Sequence, residues 1–200
     1  MLRLGLTGGI ATGKTAVAAM LRELRFDVLD ADSLAHKLIE PGQPACDEVV
    51  REFGPSILDN DSRVNRAKLA AIVFADPAKL ATLNAILHPR VKTVIHQQFA
   101  EWASNGTRAA AFVEAALLVE AGYRKNLDGL VVTWCRPEQQ LERLRARGFS
   151  DEDARQRIAA QLPVTEKLRY ATEKIDTSAS LEDTRKQVEA LAAKLIGTAL

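Results

Sequence analysis

Gly8-Gly9-Ile10-Ala11-Thr12-Gly13-Lys14-Thr15 matches the spacing GxxxxGK[S/T] at every fixed position. Glycines let the backbone curl until its N–H groups converge on phosphate oxygens. The helix that follows turns its positive N-terminal end to the same anion. Lys14 then reaches the β- and γ-phosphates of ATP, and the Thr15 hydroxyl holds Mg²⁺. Gly8 to Thr15 is therefore read as the ATP-binding loop, with ATP as co-substrate and Mg²⁺ as cofactor. A chance glycine turn is the competing explanation. It fares badly because the loop follows an apolar run and opens a helix.

Outward from the loop, residues 2–7 are a short apolar run ended by Gly8-Gly9, which predicts a buried strand. Residues 14–25 carry Val17, Met20, Leu21 and Leu24 at helical spacing. Residues 26–29, Phe112-Val113, 130–134 and Lys174-Ile175 are further strand candidates. Helical stretches at 137–147, 151–162 and 181–196 separate the later ones. Strands alternating with helices predict a parallel sheet covered on both faces. Residues 33–104 break that rhythm. Residues 69–74 and 80–87 look amphipathic, 91–102 continues after His88-Pro89, and no strand is evident. His88-Pro89 reads as a helix start or as a substrate contact.

The chain has 200 residues, 47% hydrophobic and 26% charged, with formal net charge +1. That balance argues against disorder, and the length suits one compact domain or one domain with a sub-domain inserted. Near-neutral charge argues against bulk binding to nucleic acid or a membrane surface. Cys46 and Cys135 form no CxxC pair, which fits reduced thiols in the cytoplasm. Gly8-Gly9 interrupts any signal-peptide core, and no apolar run approaches a membrane span.

Asp30-Ala31-Asp32 ends the second strand, where ligands of parallel sheets sit. Alternation along an extended chain would put Asp30 and Asp32 on one side. One carboxylate could take the proton of an attacking hydroxyl. The other could cap the next helix. Asp32 is taken as the base and Asp30 as the structural member. Arg143 and Arg147, four apart, would share a helix face just before Gly148, with Arg145 pointing elsewhere. Phosphoryl transfer needs cations on the transferring oxygens, so these arginines suggest a lid, although a solvated basic face would look the same. Guanine-nucleotide switches are disfavoured, since the chain has neither NKxD nor DxxG. A non-catalytic ATP-binding regulator would need neither Asp32 nor lid arginines.

The loop with Leu6-Thr7 before it, and then Val28-Leu29-Asp30-Ala31-Asp32, resembles the opening of dephospho-CoA kinases, LTGGIGSGKS…VIDAD. The resemblance continues through Glu40-Pro41-Gly42, Phe53-Gly54, Asn65-Arg66-Ala67-Lys68-Leu69, Leu87-His88-Pro89, Leu117-Leu118-Val119-Glu120, Gln140-Leu141-Glu142-Arg143 and Arg157-Ile158-Ala159-Ala160-Gln161. It implies a three-layer α/β P-loop kinase with a parallel sheet, a helical acceptor-binding insertion and a short lid. The core would be 1–32 and 105–200, the lid about 148–163, and the insertion 33–104. It implies phosphorylation of the ribose 3′-hydroxyl of dephospho-CoA by a monomer or weak homo-oligomer. Thr7, Lys14, Asp32 and Arg143 would be catalytic. Arg147 would bind ATP, and Asp32, His88 and Arg66 would bind the acceptor. Three departures stand out. Ala11 replaces a usual loop glycine, and Glu114-Ala115-Ala116-Leu117-Leu118 replaces D-x-P-L-L. Asp176-Thr177-Ser178-Ala179 replaces an asparagine-containing turn, so no adenine contact is assigned there.

Overall fold

Among the described residues, β1 (Leu2–Gly8), β2 (Asp27–Asp30), β3 (Ala110–Glu114), β4 (Gly129–Trp134) and β5 (Glu173–Asp176) form one parallel sheet in the order β2-β3-β1-β4-β5. The computed structural model describes residues 1–106 and 108–197, with every side chain among them except that of Phe74. Residues 107 and 198–200 of the expected core range lie outside the described residues.

All five residues of β3 are buried, from Ala110 to Glu114. A strand flanked by neighbours on both edges and covered on both faces reads as an unbroken run, not an alternation. The two alanines hide this strand from propensity, which is why only Phe112-Val113 stood out. Glu114 is its last residue and is aligned with Leu6 of β1 and Asp30 of β2. Three chain segments thus deliver side chains to one carboxyl end of the sheet.

The helices are α1 (Lys14–Glu23), α2 (Ala31–Lys37), α3 (Pro44–Phe53), α4 (Arg66–Ala75), α5 (Pro77–Ser104), α6 (Pro137–Arg145), α7 (Asp151–Ala159), α8 (Val164–Lys167) and α9 (Leu181–Gly197). Leu4, Leu6, Val17, Leu21, Phe112, Val131, Val188 and Leu191 make the main core between sheet, α1 and α9. No described helix is long and apolar enough to cross a membrane.

Three expectations need correction. Helix α2 begins at Ala31, so Asp32 lies in its first turn and not on an extended chain beside Asp30. Helix α6 ends at Arg145, which leaves Arg147 in the turn beyond it. Residues 80–102 are one continuous helix, because α5 runs through His88-Pro89. Pro89 has no N–H to give the preceding turn. One residue further along, the Arg90 guanidinium donates to the Ile86 carbonyl at 2.6 Å.

The chain divides into two compact units, Ala31–Gln98 and the remainder, with the second boundary inside α5. The Ala31–Gln98 unit has its own core of Ile39, Ala45, Val49, Ile57, Leu69, Val73 and Ile86. Asn65 caps α4 there, its side-chain oxygen accepting from the N–H groups of Ala67 (3.0 Å) and Lys68 (3.1 Å).

Candidate active site

The Gly8–Thr15 loop joins β1 to α1 as expected, and its carbonyls are held one by one. Thr7 O accepts from Thr133 Oγ1 at 3.3 Å, Gly8 O from Lys167 Nζ at 3.4 Å, and Gly9 O from Thr12 Oγ1 at 2.8 Å. Ile10 O accepts from Gln140 Nε2 at 2.7 Å, Ala11 O from Arg143 Nη1 at 3.1 Å, and Thr12 O from Thr177 Oγ1 at 3.0 Å. A loop whose carbonyls are drawn onto protein donors presents its N–H side to a ligand, as an anion requires. The first-turn N–H groups of α1 add to that side, since no earlier turn can accept from them.

Tight packing enforces the glycines. A Cβ on Gly8 would lie 2.2 Å from Thr133 Oγ1, and Gly13 sits at φ +81°. Ala11 also takes a left-handed backbone, φ 60°, which costs a non-glycine residue about 1 kcal/mol. Its methyl is buried against Leu144 and Ala154, so burial offsets the strain. Behind Ala11, burial pushes the Cys135 thiol above its usual pKa.

Lys14 Nζ reaches Glu114 Oε1 at 2.9 Å, and Arg22 Nη2 lies 3.5 Å from the other oxygen of that carboxylate. The Glu114 side chain is only 4% exposed. A buried carboxylate needs such partners. Thr15 is exposed at the start of α1, whereas Thr7 is fully buried with its hydroxyl donating to Ala116 O at 3.2 Å. The Thr7 hydroxyl is thus committed to a backbone carbonyl in this structure.

Arg143 and Arg147 line a cavity of about 300 Å³ together with Ala11, Gly13, Thr177 and Leu181. Arg143 is the better anchored. Its guanidinium donates to Ala11 O, to Thr177 Oγ1 at 3.1 Å and to Thr177 O at 2.5 Å. Arg145 makes a bidentate pair with Asp151 across Gly148, which has φ +87°. The segment after Gly148 packs Phe149 and Ile158 onto the cluster around Ala11.

In the Ala31–Gln98 unit, Asp32 is exposed on α2, one turn before His36. His36 and Arg66 line a cavity of about 410 Å³ with Glu40, Asp59, Arg63 and Asn65. His88 lies on α5 outside the residues lining that cavity. Burial is the main cause holding its pKa below the usual imidazole value, and Lys92 lowers it further.

Sequence reasoning gave no role to Glu114, Gln140, Gln161 or Lys167 and no contact to Thr177. The first three fell inside segments quoted for the family resemblance. Lys167 carries no local motif, and its full burial appears only in the fold. For Mg²⁺ the donors fit in kind. A hydroxyl and carboxylates are hard oxygen ligands, and Mg²⁺ typically takes one or two protein groups beside phosphates and water.

A profile described as dephospho-CoA kinase matches residues 2–183. A dephospho-CoA kinase of Symbiobacterium thermophilum is 45% identical over 188 residues, covering 94% of this chain and 78% of that one. A solved Thermus thermophilus protein is 34% identical with a TM-score of 0.82, covering 97% of both chains. A solved dephospho-CoA kinase from Campylobacter jejuni is 26% identical with a TM-score of 0.74, covering 99% of this chain and 98% of its own.

Proposed function

The chain belongs to the dephospho-CoA kinase family, with the α/β fold of P-loop kinases, and from that premise we propose how its own residues carry phosphoryl transfer from ATP to the ribose 3′-hydroxyl of dephospho-CoA. The observation carrying the proposal is the loop whose carbonyls from Thr7 to Thr12 are each held by a protein donor, with Lys14 at its end. Phosphoryl transfer asks the protein mainly for positioning and positive charge. The Ile10 and Thr12 N–H groups are bonded within the protein, so the remaining N–H groups of the loop and those of the first turn of α1 receive the phosphates. Lys14 exchanges Glu114 for the β/γ-phosphate oxygens, and Arg22 remains beside Glu114.

Mg²⁺, when bound, withdraws charge from the phosphate oxygens. The Thr15 hydroxyl would hold it. The cavity of Arg143, Arg147, Thr177 and Leu181 borders Gly13 and suits the nucleoside end of ATP. Arg143 acts chiefly by fixing Ala11 and Thr177, and Arg147 supplies the freer positive charge. The Ala31–Gln98 unit is the acceptor-binding domain in this reading. Asp32 takes the proton of the attacking hydroxyl, and Arg66, with Arg63 in the same cavity, offers charge to the acceptor's phosphates. His88 supports that unit by packing. Two buried free cysteines fit a reducing cytoplasm.

An acceptor panel tests the assignment. Purified protein with Mg²⁺-ATP is offered dephospho-CoA, AMP, nucleosides and pantothenate. ADP release is followed by a coupled assay, and the product is identified by mass. Dephospho-CoA should give the highest kcat/KM and yield CoA. A much higher kcat/KM for AMP or a nucleoside would overturn the reading.

A further inference from the structure

Segment 161–167, which returns from α7 to the sheet, touches the phosphate loop at two backbone atoms. Gln161 Oε1 accepts the Ile10 N–H at 2.8 Å. Lys167 Nζ lies 3.4 Å from Gly8 O and 2.6 Å from Ala116 O, and its side chain is completely buried. The same Nζ is 2.8 Å from Glu120 Oε1, and that oxygen also accepts the Leu162 N–H at 3.0 Å. Three acceptors around one ammonium satisfy its donors. Glu120 closes a circuit from Lys167 back to Leu162, beside Gln161.

These contacts are placed where small errors matter. Ile10 is gripped at both polar atoms, its N–H by Gln161 and its C=O by Gln140. Ala116 O is shared between Lys167 and the Thr7 hydroxyl. Lys167 therefore ties the end of β1, at Gly8, to the segment that follows β3, at Ala116. A lysine is an expensive residue to bury for packing alone, since its charge must be fully compensated. Nothing in phosphate binding by Lys14 or in base catalysis by Asp32 uses it.

We propose that Gln161 and Lys167 are positioning residues for phosphoryl transfer, holding the phosphate loop in register through the backbone of Ile10 and Gly8. The inference rests on the kinase reading above. Gln161 sets the plane of the Ile10 peptide within the loop. Lys167 sets the height of Gly8 and, through Ala116 O, the rotamer of Thr7. Neither residue is required to touch the transferred group.

The test compares Gln161→Ala, Gln161→Glu and the double variant Lys167→Met/Glu120→Gln with the parent protein. The double variant removes both charges together, so no buried carboxylate is left unpaired. Two readouts are taken. One is amide hydrogen exchange at Ile10 in the nucleotide-free protein. The other is the separate change in kcat and in KM for each substrate, measured well below each variant's unfolding temperature. Gln161→Ala should speed Ile10 exchange roughly tenfold, as loss of one hydrogen bond implies. It should lower kcat about 10–100-fold, the penalty of a small misplacement, with KM for dephospho-CoA nearly unchanged. Gln161→Glu keeps an acceptor oxygen, so it should restore Ile10 protection in the nucleotide-free protein, while its negative charge beside the phosphate loop should raise the KM for ATP. The double variant should lower kcat in the same range. Parent-like Ile10 exchange in Gln161→Ala overturns the proposal, and so does parent-like kcat in Gln161→Ala or in the double variant. Failure of the parent to phosphorylate dephospho-CoA strikes the kinase reading instead and leaves the exchange result to be judged alone.

Discussion

Glu114, the last residue of β3, brings its carboxylate to 2.9 Å from Lys14. The pair is nearly buried, so each partner's removal should be felt differently. Lys14→Met loses the cation for the phosphates and leaves Glu114, among the described residues, with Arg22 at 3.5 Å. Turnover should collapse, and stability should fall by about 1–3 kcal/mol. Adding Glu114→Gln removes the stranded charge and should return most of that stability without returning activity. Urea denaturation beside the ADP assay separates the two effects. Stability that stays low in the double variant would mean the pair is not what Lys14→Met disrupts. Asp32 and Asp30 make a second residue-scale comparison. Asp32→Asn keeps shape and removes the proton acceptor, so kcat should drop roughly 10²–10⁴-fold with ATP binding little changed. Asp30→Asn, at the end of β2, should be milder. Reversed severity would move the base to Asp30.

At the scale of elements, α6 links the phosphate loop to the segment after Gly148. Arg143, on the last turn of α6, has its guanidinium committed to Ala11 and Thr177. Its loss should therefore show as instability as well as slow turnover. Arg143→Ala should cost about 1.5–3 kcal/mol, the range for hydrogen bonds to a charged group, and should raise the KM for ATP. Arg143→Lys should recover only part, because an ammonium cannot span the acceptors that the planar fork reaches. Arg145, which does not share the contacts of Arg143, ties α6 to α7 through Asp151. Exposed ion pairs contribute little to stability, so Arg145→Ala should leave the unfolding temperature unchanged. Kinetics and thermal unfolding of these three variants check the ranking. An Arg143→Ala protein as stable as the parent would return Arg143 to a purely electrostatic role.

For the molecule as a whole, pH acts on stability through groups whose proton affinity changes on folding. His88 is held below its ordinary imidazole pKa by burial in α5. The unfolded chain therefore binds that proton more readily, and the His88 contribution is intact above the unfolded value of about 6.5 and is lost as pH falls toward the folded pKa. Unfolding temperatures measured from pH 7.5 to 5.5 should decline, and His88→Asn should remove part of that decline. An identical slope in the variant would exclude His88 as a source. Asp128, whose carboxyl is pulled down chiefly by the Arg3 hydrogen bond, acts only at lower pH, below the ordinary aspartate value.

The sequence by itself determined the parallel sheet, the phosphate loop and the helical insertion, because each is written in local chemistry: apolar runs, a glycine spacing, helical periodicity. It also pointed to Lys14 and Thr15, whose roles follow from their places in that spacing. Only the tertiary structure decided what lies across chain breaks. Glu114 meets Lys14 because β3 is the sheet neighbour of β1. Arg143 meets Thr177 because α6 follows β4, which pairs with β5. Lys167 is buried beneath Gly8 because the segment after α7 returns to the carboxyl end of the sheet. The register of Asp32 was misjudged because α2 starts directly at the end of β2, a choice between strand and helix that two carboxylates around an alanine do not encode. The break at His88-Pro89 failed for a related reason. A proline disfavours helix locally by about 3 kcal/mol, and the apolar face of a long helix packed against its unit's core can outweigh that.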